Sequence, residues 1–297
     1  MEPVDAVVVS FNSARVLPAC LDALRREGAR AIVVDNASSD DSVAVAEAHG
    51  AYVIRNPRNE GYGRANNIGI RMAAADHVLI VNPDAVLGPG ALALLVAAAG
   101  RYPDAALLAP RIVEREGRFF FQFRSLLSPY LPNPKAIRRF PEGDCCAPFL
   151  SGAVLLVRRA AFLDAGGFDE NIFLFYEDDD LCRRLADAGH SLVHVHEATA
   201  QHQRGASSAP DLARAFNARW HLAWSRAYIS RKYGLPDPAP GMALVNGLKA
   251  LGSLLILDRV RAVRYGGSAA GAWAWLRGRN ALSRQGLEPG AATSPGR

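Results

Sequence analysis

The chain has 297 residues, of which 50% are hydrophobic, so it can bury one large core and still carry a smaller appendage. Its four cysteines show no metal-ligand spacing, and adjacent cysteines such as Cys145 and Cys146 rarely bridge, which excludes a cysteine-based metal site or a disulfide scaffold. The first residues run into an apolar stretch without the basic region and cleavage site of a signal peptide. We therefore expect a reduced, cytoplasmic setting.

Charge is divided unevenly along the chain. Residues 1–211 contain 21 Lys and Arg against 26 Asp and Glu, a net charge of −5, whereas residues 212–297 contain 13 against 3, a net charge of +10. An acidic body suits metal coordination, and a basic region with interleaved apolar residues suits an anionic membrane surface or nucleic acid. Aliphatic residues outnumber the polar surface that a nucleic-acid groove needs, so we predict no nucleic-acid partner.

The N-terminal region alternates between predicted strands and helices. Buried-strand patterns occur at residues 4–10, 31–34, 52–54 and 78–81, with helical patterns between them, the first of which Asn12 or Ser13 can cap. Because the strands are almost continuously hydrophobic, both faces of the sheet must be covered. This predicts an α/β fold, with a mostly parallel, Rossmann-like sheet and helices on both faces. Ligands bind such sheets at the carboxyl ends of the strands.

Polar residues follow the first, second and fourth predicted strands, at Ser10 and Asn12, at Asp35, and at Asn82 and Asp84. Any one of these could be a turn residue or a helix cap, but together they lie on one edge of the predicted sheet. The glycine-rich stretch of residues 59–67 adds an arginine and several amides that can hold a sugar or a phosphate. It lacks the third glycine of a dinucleotide-binding fingerprint.

Four consecutive acids, residues 177–180, follow an aromatic run. Crowded carboxylates raise one another's pKa values, so this pattern indicates either a helix N-terminus or a site that uses a cation or a proton transfer. The acids on the strand ends upstream favour the site.

These segments resemble the family-two glycosyltransferases, which are inverting enzymes of the GT-A fold, and within them the rhamnosyltransferase-like group. The resemblance covers residues 4–205 in six ordered blocks: VVVSFNSARVLPACLDAL, IVVDNASSDDS, NEGYGRANNIGI, VLIVNPDAVL, FLSGAVLLVRRAAFLDAGGFDE and FLFYEDDDLCRRLADAGH. It implies sugar transfer from a nucleotide-diphosphate donor, with dTDP-rhamnose favoured, to a glycan or lipid-linked acceptor in cell-surface polysaccharide synthesis. The alternatives are transfer of another hexose, such as galactose or galactofuranose from a UDP-sugar, or a nucleotide-sugar or glycan-binding module with weakened catalysis.

The resemblance also implies roles for individual residues. Asp178 would be the catalytic base, with Glu177 orienting the acceptor, Asp180 capping the helix and Asp179 solvated. Asp84 and His202 would bind Mg²⁺ or Mn²⁺, although Asn82 replaces the first acid of the family's metal motif. Gly152 would leave room for the acceptor beside Glu177. The residues expected to bind the donor are Ser10, Asn12, Asp35, Asn59, Gly61, Arg64, Asn67, Asn82 and Arg204.

The sequence predicts a catalytic domain of residues 1–208, a basic helical extension of residues 209–285, and a tail of residues 286–297 that we expect to be disordered. Within the catalytic domain, we expect residues 1–110 to form approximately the half that binds the nucleotide sugar, and residues 111–208 to form approximately the half that binds the acceptor. Residues 242–257 are apolar but too short to span a bilayer. We expect this segment to lie on an anionic membrane, with the enzyme attached to the inner face of the plasma membrane.

Overall fold

The computed structural model describes residues 4–114, 117–121, 125–127, 140–203 and 211–290. By contacts, the chain divides into two compact units. The first contains Met1–Phe168 and Asp178–Ser208, and the second contains Asp169–Glu177 and Ala209–Pro295. The short segment Asp169–Glu177, which lies within the catalytic domain predicted from the sequence, belongs with the C-terminal helices.

The first unit is built on a mixed sheet with strand order β3-β2-β1-β4-β9-β6-β10-β5, to which β7 adds beside β6 and β8 beside β10. Strands β1, β2, β3 and β4 are parallel, and β9 runs antiparallel between β4 and β6. The strands are β1 (Asp5–Ser10), β2 (Arg30–Asp35), β3 (Tyr52–Arg55), β4 (His77–Val81), β5 (Ala85–Leu87), β6 (Ala105–Val113), β7 (Phe119–Phe120), β8 (Cys145–Cys146), β9 (Val154–Arg158) and β10 (Ser191–His202).

Helices cover both faces of this sheet, as the continuous hydrophobicity of the strands predicted. The helices are α1 (Leu17–Arg26), α2 (Ser42–Ala48), α3 (Tyr62–Met72), α4 (Ala91–Arg101), α5 (Arg159–Asp164) and α6 (Glu177–Asp187). Alternate side chains of β1 enter two different cores: Ala6 and Val8 pack with α1, α2 and α4, whereas Val7 and Val9 pack with α3, α5 and α6. The predicted α/β fold is therefore confirmed.

The beginning of α1 differs from the prediction. The helix begins at Leu17 and not directly after Asn12 or Ser13, because Asn12 adopts a left-handed conformation with φ of 52°. That conformation turns the chain between β1 and the helix, and asparagine tolerates it better than most residues.

The second unit contains the helices α7 (Leu212–Lys232), α8 (Ala239–Leu255) and α9 (Arg259–Leu276), followed by a 3₁₀ turn at Ser283–Gln285. Asp211 caps α7 by accepting hydrogen bonds from the backbone N–H groups of Ala213 and Arg214. The aromatic residues of α7, which are Phe216, Trp220, Trp224 and Tyr228, pack inside the unit. The rings of Trp224 and Tyr228 are stacked, with their centres 5.4 Å apart. Leu287 is 1% exposed and packs with Phe173 and Leu282, so the predicted disorder does not begin at residue 286. Residues 291–297 lie outside the described residues.

The segment Asp169–Glu177 is held to α7 by polar contacts. Asp169 is fully buried, and its carboxylate accepts hydrogen bonds from Lys232 Nζ at 2.6 Å and Tyr228 Oη at 2.9 Å. Ser225 Oγ donates to the carbonyl oxygen of Leu174 at 2.9 Å. A buried ion pair of this kind costs several kcal/mol when one partner is removed, so the pairing of this segment with α7 is strongly specified.

Helix α9 packs against α7 at two glycines, where the backbones of the two helices are in close contact. A Cβ at Gly267 would lie 2.5 Å from the carbonyl oxygen of Phe216, and one at Gly271 would overlap the carbonyl oxygen of Trp220. Gly266, on the same helix, has room, since a Cβ there would meet only a ring carbon of Phe216 at 3.9 Å.

We predict that Gly271→Ala destabilises the protein by about 1–3 kcal/mol, because the added methyl group forces α9 away from α7. Gly266→Ala is the matched control and should stabilise the protein by up to about 1 kcal/mol, because alanine is the better helix former. Denaturant unfolding monitored by tryptophan fluorescence measures both changes. Equal stability of the two variants would show that the helices do not pack at this distance.

Candidate active site

The ends of β1 and β2 form one wall of a polar site. Their residues Ser10 and Asp35 are paired in register. Asp35 is buried and accepts hydrogen bonds from the backbone N–H and the Oγ of Ser38, at 2.9 and 2.5 Å. Asn12 accepts one from the N–H of Ser39 at 2.8 Å. Ser10 Oγ is buried and has no hydrogen-bond partner among the described residues. An ionised carboxylate has about four lone-pair sites, so Asp35 can accept another donor besides Ser38.

The glycine-rich segment forms the beginning of α3. Asn59 Oδ1 accepts a hydrogen bond from the N–H of Gly61 at 2.9 Å, and Gly61 has φ of 85°, a conformation that favours glycine. The Arg64 guanidinium lies 3.5 Å from Glu60 Oε2, and its side chain is 13% exposed. These contacts fix the loop that leads into α3 and leave Arg64 at its first turn.

Asn67 was expected to bind the donor, but the structure gives it a structural role. Its Nδ2 donates to the carbonyl oxygen of Phe168 at 2.9 Å, and its Oδ1 accepts from the Phe168 N–H at 2.9 Å. The side chain is buried, and both ends of its amide are used by this one backbone residue. A polar residue inside the core must be satisfied in this way, and the sequence pattern did not show which partner would do so.

Asp84 and His202, the two predicted metal ligands, are brought together by the sheet. Strand β5 pairs antiparallel with the end of β10, with Ala85 opposite His202, and this pairing places His202 Nε2 3.2 Å from Asp84 Oδ1. His202 Nδ1 and the neighbouring Asn82 Oδ1 are buried and have no hydrogen-bond partner among the described residues. Within the described ranges, no group of three or more His, Cys, Asp or Glu side chains converges on one point. Arg204, also expected here, lies outside the described residues.

The Asp178 carboxylate is held at the beginning of α6 by backbone donors. Its Oδ2 accepts a hydrogen bond from the N–H of Gly152 at 3.2 Å, and its Oδ1 accepts from the N–H of Asp179 at 3.1 Å. Gly152 in turn accepts a hydrogen bond from Tyr62 Oη at 2.6 Å, and a Cβ at Gly152 would lie 3.1 Å from that hydroxyl. Gly152 therefore orients Asp178. Sequence reasoning missed Tyr62, although it stands inside the NEGYGRANNIGI block.

Asp179 was expected to be solvated, but the structure buries it, and only 8% of the residue is exposed. Burial, with the neighbouring Asp178 carboxylate as the second cause, raises the pKa of Asp179 to about 7. Ser125 Oγ donates a hydrogen bond to Asp179 Oδ1 at 2.7 Å. The segment of residues 125–127 is thus tied to α6, where Arg183 Nη1 also donates to the carbonyl oxygen of Leu127 at 2.7 Å.

Asp180 lies inside α6, so it does not cap the helix. It is fully buried and pairs with Arg184, whose Nη2 lies 2.8 Å from its Oδ2. Arg184 also donates to the carbonyl oxygens of Ala165 and Gly167, at 2.5 and 2.6 Å. The pair therefore joins α6 to the turn after α5.

The chain enters α6 through two strained residues. Phe175 and Tyr176 both have φ of 70°, in the left-handed region that bulky residues rarely adopt. Such conformations cost about 1–3 kcal/mol each and occur chiefly at functional sites. Glu177 follows directly and is 6% exposed. Composition and periodicity carry no signal for this backbone conformation.

The raised pKa of Asp179 predicts a pH-dependent stability. In the unfolded chain this carboxyl titrates at its ordinary value of 3.8, whereas in the folded protein it stays protonated up to about 7. Between these values the folded state binds more protons, so stability falls as pH rises. Asp179→Asn should remove this slope and be more stable than the wild type above about pH 7.

Denaturant unfolding at a series of pH values measures the slope. The control is Asp164→Asn, which removes an exposed carboxylate of α5 and should leave the slope unchanged. If Asp179→Asn unfolds with the same pH dependence as the wild type, Asp179 is ionised in the folded protein near neutral pH and the predicted slope has another origin.

The sequence of this chain is similar to those of named glycosyltransferases. A model of the family "Glycosyl transferase family 2" matches residues 5–165. The N-acetylglucosaminyl-diphospho-decaprenol L-rhamnosyltransferase of Mycobacterium tuberculosis is 34% identical over 211 residues, which cover 61% of this chain and 69% of that protein. Rhamnosyltransferase WbbL of Escherichia coli is 28% identical over 190 residues, or 58% of this chain and 71% of that protein.

Solved structures show the same fold. The mannosyltransferase PcManGT of Pyrobaculum calidifontis, solved in complex with GDP-Man and Mn²⁺, aligns with a TM-score of 0.57 at 17% identity over 93% of this chain and 87% of its own. At this identity the likeness establishes the fold alone, which is GT-A. With the family match covering more than half of its residues, this chain belongs to glycosyl transferase family 2, and it is a glycosyltransferase of the GT-A fold.

Proposed function

We propose that the protein is an inverting glycosyltransferase that moves L-rhamnose from dTDP-rhamnose to a lipid-linked glycan acceptor in cell-surface polysaccharide synthesis. The observation that carries this proposal is the Asp178 carboxylate, which is held in place by the Gly152 N–H in the same unit as the Asp84 and His202 pair. The named activities of the M. tuberculosis and E. coli relatives support rhamnose as the sugar. The M. tuberculosis name supports a lipid-linked acceptor.

Asp178 would act as the general base. Its carboxylate takes the proton from an acceptor hydroxyl while the hydroxyl oxygen bonds to the anomeric carbon and the bond from that carbon to the diphosphate oxygen breaks. The nucleoside diphosphate leaves on the opposite face, so the configuration inverts. The two backbone N–H groups that hold Asp178 fix the direction from which it approaches the acceptor. Glu177 would orient the acceptor.

The donor would be held along the carboxyl ends of β1 and β2. Asp35 would accept a hydrogen bond from the imide N–H of thymine or uracil, which cytosine lacks. Ser10 Oγ, which has no hydrogen-bond partner in the part of the chain that the structure describes, would contribute further hydrogen bonds to the nucleotide and its phosphates, together with Asn12, Asn59, Gly61 and Arg64.

A divalent cation fits the Asp84 and His202 pair. Carboxylate oxygen suits Mg²⁺ and Mn²⁺, imidazole suits Mn²⁺ among other transition metals, and Mg²⁺ sites often use few protein ligands with substrate phosphates and water completing the shell. Asn82 Oδ1, which is buried and has no hydrogen-bond partner among the residues described, is a further oxygen close in sequence to Asp84. When bound, the cation would neutralise charge that develops on the leaving diphosphate.

The second unit would dock the enzyme on an anionic membrane at the inner face of the plasma membrane. Helix α8 exposes an apolar row along its length, in which Leu248 and Leu251 are each 61% exposed and Leu255 is 86% exposed. Large exposed apolar patches mark interaction surfaces. No helix within the described ranges is both long and apolar enough to span a bilayer. A lipid-linked acceptor would be reached from such a surface.

We predict that Asp178→Asn lowers the turnover number for transfer by about a hundred- to ten-thousand-fold while donor affinity is kept, because the amide retains the shape and loses the proton acceptor. Transfer is assayed with a panel of nucleotide sugars, among which dTDP-rhamnose should react fastest. The control is Asp22→Asn, an exposed aspartate on α1. Unchanged turnover would move the base to another acid, and fastest reaction with a UDP-hexose would favour the alternative donor.

We predict that Asp84→Ala abolishes the effect of Mg²⁺ or Mn²⁺ on donor binding, since the direct carboxylate ligand is lost. Titration calorimetry with the nucleoside diphosphate, with and without the metal, gives the change in affinity. Asp41→Ala removes an exposed carboxylate from the same unit and serves as the control. If Asp84→Ala keeps the metal-dependent gain in affinity, the metal assignment is wrong.

A further inference from the structure

The C-terminal unit carries an open groove of about 700 Å³ where α9 ends beside α7. Among its lining residues are Trp220, Trp273, Arg277, Arg279 and Arg284. Two of the guanidinium groups lie over the indole rings: Arg277 is 4.8 Å from the centre of Trp273, and Arg284 is 4.4 Å from the centre of Trp220. The groove thus combines positive charge with aromatic walls.

The three arginines form no ion pair with a carboxylate in the part of the chain that the structure describes. Asp258 caps α9 at its other end, Asp237 accepts a hydrogen bond from Trp275 Nε1 at 3.2 Å, and Arg284 Nη2 donates to the neutral amide oxygen Oδ1 of Asn217 at 2.7 Å. Cationic groups that line one groove repel one another, and an anion that binds among them offsets this electrostatic repulsion.

The turn that presents the arginines is rigid. Gly278 adopts a left-handed conformation with φ of 67°, and its N–H donates to the carbonyl oxygen of Trp275 at 2.9 Å. Trp224 Nε1 donates to the carbonyl oxygen of Arg279 at 2.8 Å. Since the backbone is already ordered, an anion that binds here does not have to order the turn first.

We infer that this groove binds the phosphate group of an anionic membrane lipid, and this inference rests on the membrane docking proposed above. Guanidinium groups match phosphate oxygens in a planar, forked geometry. Tryptophan is favoured at the level of lipid headgroups, where Trp273, which is 54% exposed, would sit beside Arg277. The apolar row of α8 would supply binding that does not depend on headgroup charge.

The test compares vesicles of phosphatidylcholine with vesicles that also contain phosphatidylglycerol, by co-sedimentation of the full chain. The groove variant is Arg277→Gln with Arg279→Gln, and the matched control is Arg259→Gln with Arg264→Gln, which removes the same charge from the other end of α9. Each arginine near an anionic surface contributes about 1 kcal/mol, so removing two from the groove should lower the affinity for phosphatidylglycerol vesicles by roughly thirtyfold more than the control substitutions do. Point variants are preferable to truncation, because Leu282 and Leu287 pack on Phe173.

The outcomes separate the groove from the docking surface. Leu248→Ser with Leu251→Ser alters exposed side chains only and should weaken binding to both kinds of vesicle. If this variant binds as well as the wild type, the docking proposal is wrong. If it loses binding while the groove and control variants fall equally, docking stands and the groove is not a headgroup site. Titration with inorganic phosphate alone should show far weaker binding, and binding as tight as that of vesicles would assign the groove to free phosphate.

Discussion

Four successive carboxylates, residues 177–180, begin α6 and impose the main electrostatic constraint on this protein, because crowded like charges cannot all remain ionised and unpaired. The structure gives each of the three aspartates a different solution. Backbone N–H groups hold Asp178, protonation near neutral pH relieves Asp179, and the guanidinium of Arg184 neutralises Asp180. The proposed catalytic role of Asp178 depends on this separation, because backbone N–H groups of Gly152 and Asp179 hold its carboxylate in a fixed direction.

Much of this arrangement could be predicted from the sequence, because it follows from the ends of strands. Continuous hydrophobic runs located β1, β2, β3 and β4, and the residues after them necessarily meet at one edge of a parallel sheet. The resemblance to family-two enzymes added His202, whose approach to Asp84 requires the antiparallel pairing of β5 with β10. Local patterns cannot reveal such a pairing between distant segments.

The remaining features depend on contacts that no local pattern encodes. Asn67 looks like a ligand-binding amide within a glycine-rich segment, and only the position of Phe168 shows that the amide is already used. The acidic run suggests that Asp179 is exposed, and only the hydrogen bond from Ser125 Oγ shows that its carboxyl group is packed against another segment. Likewise, Gly266, Gly267 and Gly271 look alike in the sequence of α9, but only Gly267 and Gly271 lie against the backbone of α7. In each case the environment of the residue is determined by tertiary packing and not by the local sequence pattern.

The attachment of Asp169–Glu177 to the C-terminal helices has a consequence for how the protein can vary. The family match ends at residue 165, just before this segment begins, and the buried carboxylate of Asp169 needs both Lys232 and Tyr228. A change in this segment must therefore be compensated on α7, not within the sheet. Recombination between relatives that exchanges everything after residue 208 would separate the two halves of this pairing. A chimera that exchanges residues 169–177 together with the C-terminal helices would keep them from the same parent.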